Sequence, residues 1–322
     1  MTDTLTVRVV AKAIVAQDTY AFRFAGIDQQ LPACDAGAHV DVHLPSGLVR
    51  QYSLTRPNHG NERYEIGVLR DPNGRGGSVE MCDTVQVGDT VRISSPRNNF
   101  ALHPGHGRYL LLAGGIGITP ILAMARALEA RGADYLVYAC ARKPERAPFM
   151  EEIKAEPIAA NFQWYFDEVE GGCRLDIGAL VATVTKNDQV YACGPTAFLD
   201  AAEKACAVLA PGRFHQERFK ANLEPLSEDQ MGAFEVQLRV DGPVLTVPGD
   251  KSLLETLADH GYEVPKSCLE GVCGTCIMPL LASGEVIHRD TCLYPDEQQN
   301  NTSIAVCVSR GAPGSRLVID FG

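Results

Sequence analysis

Cys268, Cys273 and Cys276 stand in the spacing C-x4-C-x2-C, and thirty intervening residues later comes Cys307. Soft, anionic thiolates stabilise iron, and three of them in one short loop can wrap a plant-type 2Fe-2S cluster if the backbone between them is free to turn. Gly271 and Gly274 supply that freedom. Such a cluster carries one electron at a time, so the chemistry to expect is electron transfer. A structural zinc site is the rival reading of four thiolates. Zinc usually divides its cysteines into two short knuckles, whereas three ligands crowd together here. Cys292 is a second candidate for the fourth position. Cys307 is preferred because the alternating apolar neighbours in Ala305-Val306-Cys307-Val308 predict a strand that would hold the thiolate rigidly, and because its separation is nearer the plant-type pattern.

Four further motifs precede these cysteines. Arg50-Gln51-Tyr52-Ser53 combines a fixed cation, an aromatic plane and a hydroxyl, which suit a flavin phosphate, its ring face and its ring edge. Gly74-Arg75-Gly76-Gly77-Ser78 offers unhindered backbone N–H groups, a second guanidinium and a hydroxyl, enough to cradle one phosphate. Gly114-Gly115-Ile116-Gly117-Ile118-Thr119-Pro120 follows an apolar run and opens a helix, so a pyrophosphate can approach its backbone and the positive helix end. It is not the G-x-G-x-x-G fingerprint, and a plain strand-to-helix turn would tolerate the same glycines. Cys193-Gly194-Pro195 ends a later strand on the same carboxyl edge, where open α/β sheets bind ligands. Cys193 suits contact with a nicotinamide, although a free cysteine is also an ordinary core residue.

The elements that must position these residues change texture along the chain. Up to about residue 101, β-rich runs such as Leu5–Val10, His39–Leu44 and Val91–Ser94 alternate with turns, predicting a small antiparallel barrel. From Tyr109, strand and helix alternate through Leu110–Ala113, Ile121–Ala130, Tyr135–Ala139 and Gln189–Ala192, predicting a parallel sheet with helices on both faces. Lys220 to Gly232 is polar and reads as a linker, and Phe234–Val240 begins a third unit carrying the cysteines. The expected domains are therefore 1–102, 103–224, a linker at 225–232, and 233–322. Tyr109 to Leu128 carries one charge in twenty residues, but Gly114, Gly115, Gly117 and Pro120 divide it, against a membrane span.

A length of 322 residues suits two or three domains, and the formal charge of −11 argues against a nucleic-acid binder, which needs a basic surface. The eleven cysteines are odd in number and widely spread, and no signal peptide precedes Val7, so a reducing cytoplasm is expected rather than a disulfide scaffold.

Taken in order, the Arg50, Gly74, Gly114 and Cys193 motifs and the four cysteines resemble the ferredoxin-NADP reductase superfamily fused to a C-terminal plant-type ferredoxin. The resemblance spans the chain and is nearest to phthalate dioxygenase reductase-like proteins, which serve Rieske oxygenases in aromatic catabolism and O-demethylation. It implies a multidomain fold of antiparallel β-barrel flavin domain, α/β parallel-sheet nucleotide domain and α+β β-grasp ferredoxin domain. It also implies FMN, with Arg50 and Ser78 near the phosphate, Tyr52 and Ser53 at the ring, Val68, Leu69 and Arg70 along the ribityl side, and Thr119 near the isoalloxazine. Phe219 looks like the family's aromatic residue that shields the flavin, and Asp167 and Arg142 match the adenosine end more loosely.

The resemblance suggests NADH, while Arg142, Lys143 and Arg146 leave NADPH open as a 2′-phosphate site. It implies hydride transfer to flavin and single-electron delivery through the cluster to a terminal Rieske oxygenase, by a monomer that needs neither nucleic acid nor membrane. A plant-type cluster near ~−400 mV facing a Rieske centre at about −150 mV or above favours that transfer by ~6 kcal/mol per electron. A P450 or diiron acceptor is the alternative, and a zinc or cluster-binding sensor the non-enzymatic one.

Overall fold

The computed structural model describes residues 4–60, 63–105, 107–220, 225–293 and 295–321. They belong to two compact units, Met1–Glu217 and Arg218–Gly322. Residues 221–224, where the sequence puts the join between nucleotide domain and linker, lie outside the described residues, as do 1–3 and 322 at the expected outer ends.

The first unit begins with six strands: β1 (Thr4–Ala16), β2 (Thr19–Gly26), β3 (His39–His43), β4 (Val49–Ser53), β5 (Arg63–Leu69) and β6 (Thr90–Ser94). They pair antiparallel in the order β4-β3-β6-β1-β2-β5. A bridge between Leu54, just past β4, and Ile66 of β5 joins the two edge strands and closes the barrel. Alternation sends Val7, Val9, Phe22, Phe24, Val40, Val42 and Ile66 into one core. A short helix, α1 (Gly77–Asp83), buries Met81 and Cys82 in the same core.

The chain then forms β7 (Tyr109–Gly114), α2 (Ile118–Ala130), β8 (Tyr135–Ala141), α3 (Met150–Lys154), β9 (Phe162–Phe166), α4 (Ile177–Val181), β10 (Gln189–Cys193), α5 (Thr196–Cys206) and β11 (Phe214–Glu217). These strands are parallel, in the order β11-β10-β7-β8-β9. Leu110 and Leu112 pack with α4 and α5, and α2 lies against β7, β8 and β10. The apolar run at Tyr109 to Leu128 is thus strand, 3-10 turn and helix. Among the described residues no helix is long and apolar enough to cross a membrane.

Barrel and sheet are locked by an ion-pair network that the sequence does not announce. Arg126 on α2, only 8% exposed, bonds Glu152 at 2.8 Å, Glu156 at 2.6 Å and the Thr55 carbonyl at 2.8 Å. Arg56, from the loop after β4, reaches the same two glutamates. A Cβ at Gly67 of β5 would come within 2.7 Å of Thr119 Cγ2 and 2.9 Å of Phe149 Cε2, so glycine alone fits where barrel meets sheet.

The second unit contains β12 (Phe234–Leu238), β13 (Val244–Val247), α6 (Leu253–Asp259), β14 (Ile277–Ser283), β15 (Val286–Ile287), α7 (Pro295–Gln299), β16 (Ser303–Ala305), β17 (Arg310–Gly311) and β18 (Arg316–Ile319). Its mixed sheet runs β13-β12-β18-β14-β16, with β12 and β18 parallel. Leu253, Leu254 and Leu257 of α6 pack on it in the α+β, β-grasp manner. Ser252 caps α6 in a reciprocal box with Glu255.

Candidate functional site

The first cradle is built by β4 and the turn before α1. The guanidinium of Arg50 donates to the Arg75 carbonyl at 2.8 Å and lies so close to Gly77 that a Cβ there would stand 2.4 Å from Nε. Gly76 turns the chain at φ +80°, where only glycine is unstrained. Two motifs separated by twenty residues of sequence therefore meet, which sets the Arg50 guanidinium beside the Gly76 and Gly77 backbone at the start of α1. Ser78 Oγ accepts the Asp71 N–H at 3.1 Å. Tyr52 Oη is buried without a hydrogen-bond partner among the described residues, and burial pushes its phenol up. An enclosed hydroxyl left unpaired beside a cation fits a bound polar group such as a flavin phosphate or ribityl chain.

Neighbouring candidates take other positions. Gln51 donates to Asp41 at 2.9 Å and braces β3 against β4. Val68 is fully buried in the barrel core, so only its backbone faces outward, while Leu69 is 37% exposed. Arg70 forms a two-pronged ion pair with Asp83, at 2.9 and 2.8 Å, that pins the end of α1. Its side chain is committed to that pair because Asp83 ends the helix directly opposite. Arg75 is exposed.

The second cradle is the carboxyl edge of the parallel sheet. A Cβ at Gly117 would stand 2.3 Å from the Cys193 carbonyl oxygen, and one at Gly114 would stand 2.8 Å from Pro195 Cδ. The Gly114–Gly117 and Cys193–Pro195 loops thus pack backbone on backbone, with Gly194 against Gly114, and Gly115 turns at φ +53°. Thr119 is 2% exposed, donates to the Ile116 carbonyl at 3.0 Å and packs towards Gly67, while Pro120 is buried in the first turn of α2. Cys193 is fully buried, and burial, reinforced by the charge of Glu217, raises its thiol well above the ordinary value. A sulfur so held is a neutral contact surface and not a nucleophile.

Glu217 is the residue that sequence reasoning missed. Register places it opposite Cys193 at the end of β11. It accepts a long hydrogen bond, 3.5 Å, from Ser53 Oγ, so β4 of the barrel and β11 of the sheet meet at a hydroxyl and a carboxyl. Burial pushes Glu217 up to about 8 against the opposing pull of Ser53, which leaves it protonated at neutral pH. The only sequence signal was a carboxylate in the polar run His215-Gln216-Glu217 next to Arg218-Phe219. Phe219 itself is half-buried at the start of the second unit.

At the outer part of the same edge, Arg142 is 70% exposed and faces Glu168 at 3.5 Å, while Asp167 faces Arg174 at 3.4 Å. The Glu168 N–H donates to the Arg142 carbonyl and joins the two loops. Arg146 pairs with Asp18 at 3.7 Å.

The cysteines converge in the second unit as two pairs. Cys268 hydrogen-bonds Cys273, raising the first thiol and lowering the second, and Cys307 does the same to Cys276. Cys268, Cys273 and Cys276 are buried and Cys307 is half-buried. Backbone N–H groups of Glu270 and Thr275 point at Cys268 and Cys273 sulfurs, at 3.3 and 3.4 Å. Among the described residues no His, Cys, Asp or Glu group of three or more closes around one metal ion. Two thiol pairs, each able to hold its own iron, suit a two-iron cluster better than a single tetrahedral zinc.

One expectation is corrected here. Cys307 lies on a turn, because β16 ends at Ala305 and the Val308 and Ser309 N–H groups both fold back onto the Ala305 carbonyl. The apolar alternation reflects a buried Val306 and a Val308 that packs on Gly271, not an extended strand.

Asp290 underlies this loop. Its side chain is fully enclosed and receives Ser309 Oγ at 2.7 Å and the Leu293 N–H at 3.0 Å. Burial alone would raise its carboxyl, but His288, Ser309, the Leu293 N–H and Gln298 outweigh it and bring it to about 2. Nothing in the cysteine spacing foretold it.

Residues 6–102 match the oxidoreductase FAD-binding domain family, and residues 238–310 the 2Fe-2S iron-sulfur cluster binding domain family. A vanillate O-demethylase oxidoreductase from Pseudomonas sp. (strain HR199 / DSM 7063) is 42% identical over 316 residues, 97% of this chain and 98% of the relative. The solved phthalate dioxygenase reductase, described as a modular structure for electron transfer from pyridine nucleotides to [2Fe-2S], matches with TM-score 0.75 and 35% identity over 99% of this chain and 98% of that one. An intact type IV self-sufficient cytochrome P450 monooxygenase matches with TM-score 0.87 and 32% identity, covering 99% of this chain and 41% of that one.

Proposed function

The chain belongs to the phthalate dioxygenase reductase-like family, flavin and 2Fe-2S oxidoreductases that are reductase components of oxygenase systems, and we propose that it passes electrons from NADH through FMN and its cluster to a terminal Rieske oxygenase. The observation that carries this reading is the whole-length match to an O-demethylase oxidoreductase, with flavin cradle, nucleotide edge and cysteine pairs in one order. Flavin held at the barrel would supply a hydride acceptor for a nicotinamide, and a 2Fe-2S cluster held by the four cysteines would supply one-electron transfer.

The protein's part is positioning. Arg50 and the Gly76 and Gly77 backbone hold a phosphate at the barrel. Glu80, bonded to the Ser46 N–H at 2.8 Å, sets a carboxylate on α1 near Tyr52, which disfavours a second phosphate and supports FMN over FAD. The backbone loops at Gly114–Gly117 and Cys193–Pro195 receive the pyrophosphate at the α2 N-terminus. Ser53 and Glu217 keep a neutral hydroxyl and carboxyl where barrel and sheet meet, so charge is absent at the hydride path. Cys268 with Cys273, and Cys276 with Cys307, would each hold one iron of the cluster. The domain limits 1–102, 103–224 and 233–322, with the linker at 225–232, complete this reading.

NADH is favoured because Asp167 and Glu168 set carboxylates at the outer edge, and Arg142 and Arg146 are already paired with acids. The test is kcat/KM for both nucleotides. A preference for NADPH would reject the assignment. The strong match to the self-sufficient P450 supports a haem monooxygenase acceptor as the second reading. Reconstitution with a purified Rieske oxygenase and a purified P450 separates them, since rapid turnover with the P450 alone would overturn the first.

A further inference from the structure

The connection from β8 to α3 leaves the outer nucleotide edge at Arg142, makes one 3-10 turn at Pro144–Arg146 and ends at Phe149. It is sewn to the barrel on the way. The Gln17 N–H donates to the Glu145 carbonyl at 2.7 Å, and the Phe149 N–H donates to the Val15 carbonyl at 3.2 Å. Phe149 stands at φ +60° and ψ 8°, a left-handed conformation that glycine or asparagine takes readily and a bulky residue does not. Its carbonyl accepts the Ile153 N–H at 2.8 Å, a contact of the backbone that asks for no ring. Yet the side chain is 1% exposed. The ring edge lies against Gly67 of β5, where a Cβ would meet Cε2 at 2.9 Å and Cζ at 3.1 Å, with Thr119 Cγ2 converging on the same point at 2.7 Å. Thr119 is in turn bonded to the Ile116 carbonyl of the glycine loop. The ring thus stands in the seam between the strand that leads into Val68 and Leu69 and the loop that opens α2. A strained backbone persists only where its surroundings over-determine it, and here they are the two halves of the proposed hydride site.

We propose that Phe149 is a positioning residue for hydride transfer, whose ring sets the spacing between β5 and the Gly114–Thr119 loop and so between the flavin and the nicotinamide that they would hold. The inference rests on the flavin and NADH reading of the first unit. Phe149 acts through Gly67 and Thr119. Removing the ring empties the seam, and the strand and the loop relax into the space. Binding of each group depends on contacts elsewhere, at Arg50 and at the glycine loops, so affinity survives while alignment does not. A ring that merely filled the core would lower stability and leave the rate unchanged in every molecule that folds.

The test is stopped-flow reduction of bound FMN in the full chain, by NADH and by NADH deuterated at the transferred position, for wild type, Phe149→Ala and Phe149→Leu. FMN affinity by fluorescence titration and the visible circular dichroism of the bound flavin are measured on the same proteins. In Phe149→Ala the limiting rate should fall about 10- to 100-fold, the cost of a misplaced reacting pair, and carry a primary isotope effect. Half-saturating NADH and FMN affinity should stay near wild type, while the flavin circular dichroism changes. Phe149→Leu, which restores part of the volume, should fall between the two. An unchanged limiting rate, a slowed step without an isotope effect, a flavin circular dichroism identical to wild type, or a rate loss matched by an equal loss of NADH or FMN binding overturns the proposal. Should Phe149→Ala fail to fold by far-ultraviolet circular dichroism, Phe149→Leu is read by the same criteria. A wild-type protein that binds no FMN, or whose FMN is not reduced by NADH, would instead overturn the underlying reading.

Discussion

Half-buried Glu217 in the first unit and enclosed Asp290 in the second are both carboxyls beside a candidate redox site, yet they meet opposite surroundings. Glu217 has one long hydrogen bond and is pushed up to about 8, so it is neutral near pH 7. Asp290 receives several donors and is held at about 2, a permanent anion. The difference shows how each unit treats charge. Where the barrel meets the parallel sheet, on the proposed hydride path, the protein leaves a carboxyl poorly partnered and therefore uncharged. Beneath the cysteine loop it spends four donors on fixing an anion, which braces the 290–293 segment against the loop.

The strongest way to break this comparison is to disable one unit and ask whether the other notices. Cys268→Ala should abolish NADH-driven transfer to a protein acceptor while largely keeping NADH-dependent reduction of a small dye at the flavin. If dye reduction vanishes with FMN still bound, the order of carriers is wrong. Arg50→Ala acts on the other unit: losing a charge-assisted phosphate contact worth about 1.5–3 kcal/mol should weaken FMN binding roughly 10- to 150-fold, with iron content unchanged. Fluorescence titration of the apoflavin protein reads this directly, and unaltered affinity would remove Arg50 from the phosphate.

The carboxyls themselves give smaller effects of opposite sign with pH. Because folding raises the Glu217 pKa from 4.5 to about 8, the unfolded chain releases that proton first. Stability is therefore lost progressively as pH rises between those values. Glu217→Gln should remove this slope, gaining on wild type up to about pH 8 in urea midpoints followed by flavin fluorescence. Asp290 behaves the other way. Its folded pKa is depressed from 3.8 to about 2, so its contribution is present above 3.8 and fades as pH falls through 2. Asp290→Asn should cost about 1–3 kcal/mol at neutral pH in unfolding followed by cluster absorbance. A flat pH response in both variants' differences would erase the contrast.

The two carboxyls also mark where sequence reading ends. The cysteine loop, the Arg50 and Gly74 motifs and the parallel sheet could be read locally, because each depends on spacing within a few residues or on one period of alternation. Glu217 matters only through strand register and a barrel residue 164 positions away. Asp290 matters only because Gly271 leaves room for its backbone. Apolar alternation predicts a strand at Cys307 because it looks the same in a strand and in a turn whose two valines pack in different directions. Arg70 reads as a cofactor-side cation until Asp83 is seen opposite it, 13 residues on. Long-range pairing, not motif chemistry, is what the chain withholds.

The most direct test of the central claim is an anaerobic visible spectrum of the purified protein before and after one equivalent of NADH, with released flavin and iron quantified from the same sample. The account predicts FMN and 2Fe-2S bands that bleach together, since one chain holds both carriers. A protein that stays colourless and unresponsive after supply of FMN, iron and sulfide, or that binds zinc in their place, would contradict it.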